Sequence, residues 1–216
     1  ICFYRALNTD PENIQGLNGV GKAFLSLGFV KRAVTYLEKN YMGGKLDQGG
    51  KVALAKAYEL SNRLDLATGL YNELMESDLY GEWGTLAGQR IRQIADGKPL
   101  SGLSPLQVAD NHLALAFKFV EHGFNQEAEA EFKASALLSP ENPSIYLNMG
   151  NFYLTLERIE EATDSFKKVL LLEPDDLAAT ERLAEIYWDI GEREEAGKYL
   201  ELAVRLNPRN SSLLFN

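Results

Sequence analysis

One property of this sequence limits its fold more than any other: a skeleton that returns every thirty-four residues. PSIYLNMGNFYLTLERIEEATDSFKKVLLLEPDD (residues 143–176) is followed by LAATERLAEIYWDIGEREEAGKYLELAVRLNPRN (177–210) and preceded by ADNHLALAFKFVEHGFNQEAEAEFKASALLSPEN (109–142). Four columns stay in phase: Phe119, Tyr153, Tyr187; Ala128, Ala162, Ala196; Phe132, Phe166, Leu200; Pro140, Pro174, Pro208. Self-similarity at this period belongs to stacked helical arrays, in which no unit buries its apolar face alone.

The order of residue types resembles the tetratricopeptide repeat family. A small residue (Ala116, Gly150, Ala184) precedes the aromatic by three, Ala follows nine later, then Phe or Leu, then Pro. Small residues let antiparallel helices approach, the aromatic fills the gap, and Pro stops the second helix. The family's early Trp is replaced by His112, Tyr146 and Thr180. The resemblance implies an all-α, right-handed solenoid of helical hairpins.

Two further repeats, 14–47 and 48–81, keep the phase through Gly21 and Ala55, Phe24 and Tyr58, Ala33 and Ala67, and Leu37 and Tyr71, with Lys45 and Leu79 where Pro would stand. Residues 1–13 read as a partial repeat, since Phe3, Ala6 and Pro11 share the phase of Phe166, Val169 and Pro174. Asn13, Asn142 and Asp176 stand where N-caps belong, with Pro143 at a first helical position. Residues 82–108 are too short for a repeat. Trp83, Leu86, Ile91 and Ile94 predict one amphipathic helix ending at Gly97, then the loop KPLSGLSP, and Ser104, Pro105 and Gln107 form a capping box that starts the next helix a turn before Ala109. The expected organisation is an N-terminal sub-array (1–81), an irregular helix and loop (82–108) and a C-terminal sub-array (109–216) with a tail at 211–216. The chain begins without Met and SSLLFN follows Asn210, so it reads as a segment cut from a longer array or capped by a short helix. The compartment stays open, with the cytoplasm preferred and a signal peptide lost with the start as the other reading.

Composition excludes several classes. No apolar run approaches the roughly 20 residues of a membrane span, and the single cysteine, Cys2, allows no disulfide framework. The net charge of −9 is unevenly spread: residues 109–210 hold 10 Lys and Arg against 20 Asp and Glu, residues 14–81 hold 8 against 7. Such an excess of carboxylates argues against nucleic acid as a partner.

Sites for chemistry do not emerge. Gly16 to Lys22 has the GxxxxGK spacing of a phosphate loop, but Ala23 replaces the metal-holding hydroxyl, no strand precedes it, and Gly21 and Lys22 fall in helical columns. His112 and His122, ten apart on one helix, point to different faces. Glu160, Glu161, Glu194 and Glu195 recur at a helix start, where carboxylates favour the dipole. The sequon at Asn210 matters only in a secreted chain. No catalytic residue, metal site or cofactor is expected.

What the resemblance implies is a partner groove lined by the first helix of each repeat. Carried over, its C-terminal part has Leu113, Phe117 and Val120, then Leu147, Asn151 and Leu154, then Glu181, Glu185, Trp188 and Asp189; its N-terminal part includes Asn18, Lys22, Lys56 and Glu59. Leu113, Leu115, Phe117, Phe119 and Val120 make one helix apolar nearly all round, so a cover over Phe117 is expected, from a partner or from the helix after Glu82. Glu181, Glu185 and Asp189 form a row of like charges that calls for a cation, which could also stack on Trp188. The five-residue clamp by which some family members hold a C-terminal carboxylate is matched only by Asn148 and Arg182 and is disfavoured. The sequence therefore reads as a non-catalytic scaffold binding a protein or peptide with apolar and basic residues; the alternatives are a self-assembling homo-oligomer or a regulatory segment of a longer enzyme.

Overall fold

A computed structural model describes residues 2–208, so the expectations for SSLLFN and the Asn210 sequon lie outside the described residues. These contain twelve helices and no strand: α1 (Cys2–Thr9), α2 (Ile14–Ser26), α3 (Val30–Met42), α4 (Gln48–Leu60), α5 (Leu64–Ser77), α6 (Glu82–Ala95), α7 (Pro105–Glu121), α8 (Asn125–Leu138), α9 (Pro143–Thr155), α10 (Ile159–Leu172), α11 (Leu177–Asp189) and α12 (Arg193–Leu206). The fold class is an all-α helical-repeat solenoid. The chain divides into two compact units, Ile1–Asn111 and His112–Asn216.

Helix starts follow local chemistry. Asn13, Asp47, Asn142 and Asp176 each accept a hydrogen bond from a first-turn N–H, at 2.7, 2.5, 3.1 and 2.7 Å. Such a cap is worth about 1 kcal/mol. Asp47 stands thirty-four residues after Asn13, a cap the sequence reading passed over. Ser104 and Gln107 form a reciprocal box: Ser104 N–H donates to Gln107 Oε1 at 3.0 Å and Gln107 N–H to Ser104 Oγ at 3.3 Å.

The hairpins close by the repeat columns. Ala33, Ala67, Ala128, Ala162 and Ala196 are fully buried, as are Leu37, Tyr71 and Phe166. A Cβ at Gly150 would stand 2.6 Å from the Phe166 ring, and one at Gly21 2.6 Å from Leu37 Cγ, so the small column is what lets the large column seat. Burying one such large side chain contributes roughly 2–3 kcal/mol. The turn between paired helices has its own column: Gly28, Asn62, Gly123, Glu157 and Gly191 all take positive φ, from 57° to 86°. Glycine and asparagine enter that region at low cost, whereas Glu157 does not.

In the first unit, α2 pairs with α3 and α4 with α5, while α3 packs on α4 and α5 on α6. α6 starts thirty-four residues after α4 and meets α5 as α4 meets α3, the placement of a first helix. No second helix follows it. In the other unit, α9 pairs with α10 and α11 with α12, with α10 packed on α11 and α8 on α9.

Candidate interaction faces

On the unit beginning at His112, the candidate residues sit on α7, α9 and α11. Phe117 is 39 % exposed and lies edge-on to Phe132 at 5.6 Å, and Phe132 continues to Phe152 at 5.2 Å. This ladder ties α7, α8 and α9 together at Phe117. Leu113, Val120, Leu147, Asn151 and Leu154 are half-buried. The Phe117 ring keeps an open face, although Phe119 beside it is buried. Residues two apart on a helix lie about 200° apart around its axis, so Phe117 and Phe119 face different sides of α7.

The acidic end differs from its reading as a row awaiting a foreign cation. Arg182 Nη1 pairs with Glu185 Oε2 at 2.9 Å, and the Arg193 guanidinium covers the Trp188 ring at 3.8 Å while donating to the Trp188 carbonyl at 3.3 Å. The chain thus supplies two cations of its own. Glu181 and Asp189 have no ion pair among the described residues.

In the unit ending at Asn111, Asn18 Oδ1 accepts from Asn40 Nδ2 at 2.7 Å, so it braces α2 against α3. Lys22 reaches Asp47 at 3.3 Å and Lys56 is half-buried. Glu59, expected to face a partner, is instead closed in at 2 % exposure. Its carboxylate accepts from Arg90 of α6, from the Tyr71 hydroxyl at 3.2 Å and from Leu100 N–H at 2.6 Å. A buried carboxylate needs such partners, since its desolvation is costly. Burial, and then the Glu59 charge, push the Tyr71 phenol well above its ordinary range. Sequence spacing could not reveal this hub, because Leu100 lies outside the repeat phase.

The remaining motifs resolve into structure. Gly16 to Lys22 is helical throughout. His112 is buried with Nδ1 2.6 Å from Glu131 Oε2, whereas His122 lies exposed beside the Lys118 carbonyl at 2.8 Å. Glu161 pairs with Arg158, and Glu194 and Glu195 with Lys198. Asn148 bonds its own helix at the Ser144 carbonyl. Among the described residues no group of His, Cys, Asp or Glu gathers to hold a metal, and no helix is long and apolar enough to cross a membrane.

Comparison with known proteins gives the following. The sequence model of the family described as "Tetratricopeptide repeat" matches residues 156–214. The human protein O-mannosyl-transferase TMTC3 is 23 % identical over 220 residues, covering 99 % of this chain and 22 % of its own length, so the chain spans about a fifth of that relative. The first repeat domain of Spaghetti (RPAP3), solved with an HSP90 peptide, is 22 % identical with a TM-score of 0.46, over 50 % of this chain and 86 % of that one. The Yersinia enterocolitica secretion chaperone SycD, solved with a YopD peptide, is 21 % identical with a TM-score of 0.43, over 49 % and 80 %. Residues 156–214 thus match the tetratricopeptide repeat, and hairpins of the same chemistry at a thirty-four-residue period precede them, which makes the chain a helical-repeat protein similar to that family.

Proposed function

We propose that this chain is a protein-interaction module and does no chemistry of its own. Its unit from His112 onward takes an extended peptide across α7, α9 and α11, with an apolar stretch against Phe117, Leu147 and Leu154 and a Lys or Arg beyond it towards Glu181 and Asp189. The observation that carries this reading is Phe117, a large aromatic left 39 % exposed at the end of the Phe132 and Phe152 ladder. Apolar contact there supplies affinity, at about 25 cal/mol per Å² before the peptide's ordering cost. The two carboxylates without ion pairs set direction and on-rate, with less weight for Glu185 and Trp188, which hold their own cations. Selection of peptides from a random library against wild type and Phe117→Asp tests it.

A second reading is favoured by one observation, the match to a stretch of a larger protein named a transferase. On it, this segment positions partners or substrates for an enzyme encoded in the same chain. Deleting residues 109–208 from the full reading frame while leaving the other domains intact would change substrate choice on that reading. A self-assembling scaffold, the remaining alternative, would show a mass that rises with concentration in light scattering.

A further inference from the structure

We infer that the unit ending at Asn111 carries a separate peptide site, and that residues 98–104 of the chain are its resident occupant. After α6 the repeat phase calls for a second helix, but Pro99, Gly102 and Pro105 cannot sustain one, and residues 98–104 form no regular element. Its course is defined at three points. Leu100 N–H donates to Glu59 Oε1 at 2.6 Å. The Leu103 and Val108 side chains close on the α2–α3 turn, where a Cβ at Gly28 would stand 3.0 Å from each. Asn111 Nδ2 then donates to the Leu27 carbonyl at 3.1 Å.

Glu59 belongs to the last turn of α4, and Leu27 and Gly28 follow the end of α2. The segment therefore crosses the ends of two consecutive first helices, as a bound peptide would. Arg90 and Tyr71 hold the Glu59 carboxylate in place whether or not the segment is seated. The acceptor is thus preorganised for a backbone N–H, a group that any extended chain can offer.

The segment is held lightly. Residues 101–104 are all exposed, Leu103 at 40 %. Lys98 and Ser104 are hydrogen-bonded to the flanking helices, but between them only the Leu100 N–H bond and one edge of Leu103 resist its leaving, so local release is cheap relative to global unfolding. A competing partner is defined by the same chemistry: an extended segment with leucines three apart and a free N–H on the first. This inference does not depend on the α7, α9 and α11 face.

The test replaces residues 98–104 by a Gly-Ser run of equal length in the full chain. The probe is a fluorescein-labelled peptide, GKPLSGLSP, titrated by fluorescence anisotropy. A tethered segment competes at an effective concentration on the order of millimolar, so the variant should bind the probe about tenfold more tightly than wild type. N-methylation of the probe's first leucine should abolish that binding. Equal affinity for wild type and variant, no binding to a folded variant, or full binding of the methylated probe would overturn the inference. If the replacement does not fold, Leu100→Pro, which removes the donated N–H, takes its place, and no gain in probe affinity over wild type overturns the inference equally.

Discussion

Arg193 opens α12 with its guanidinium 3.8 Å from the centre of the Trp188 ring, the last aromatic of α11. A cation in a first turn is opposed by the helix dipole, so its position there is held by the ring and by the Trp188 carbonyl. Arg193→Ala should change stability by under about 1 kcal/mol, because relief of the dipole offsets lost stacking. Acrylamide quenching of Trp188, read in a Trp83→Phe background, should rise clearly. Unchanged quenching would mean that Arg193 does not cover the ring in solution.

Glu157 sits at φ 57° in a column otherwise filled by Gly28, Asn62, Gly123 and Gly191. A left-handed residue with a Cβ costs roughly 1–2 kcal/mol, and glycine gives part of that back through a looser unfolded chain. Glu157→Gly is expected to raise stability by about 1 kcal/mol in a denaturant titration. A loss of stability would show that the Glu157 side chain has a compensating role.

Ala162 is fully buried where α9 meets α10. Ala162→Glu should place an unpaired carboxylate there and cost on the order of 3 kcal/mol. An unchanged melting curve would contradict the hairpin packing.

Arg158 hydrogen-bonds Glu129 and, with Lys133, holds its carboxyl down at about 2 from an ordinary 4.5. A carboxylate whose folded pKa is depressed contributes stability above the unfolded value and loses it as pH falls through the folded one. The Tm difference between wild type and Glu129→Gln should therefore be full at pH 7, begin to shrink below about 4.5 and vanish near 2. A difference independent of pH would assign the effect to packing.

The solenoid was legible because its columns are packing requirements: Gly150 and Phe166 appear in sequence at the spacing their close approach demands. The turn column of Gly28, Gly123 and Gly191 was equally visible in the sequence, and only Asn62 and Glu157 obscured it. α6 was harder to place. Its start keeps the thirty-four-residue phase, but Gln89 and Arg92 stand where a small residue and an aromatic would mark it. Ion partners such as Arg90 with Glu59, or Arg193 over Trp188, could not be read at all, since exposed and buried carboxylates look alike until neighbouring helices are placed.

The most direct test of the interaction face is selection of a random peptide library on the immobilised full chain, followed by titration of the enriched peptides against Phe117→Asp shown to be folded by circular dichroism. Enriched peptides should carry an apolar stretch followed by Lys or Arg, and Phe117→Asp should lose them at every salt concentration. Glu181→Lys should weaken them chiefly at low salt, by slowing association. Peptides of another character, or equal binding by Phe117→Asp, would contradict the account.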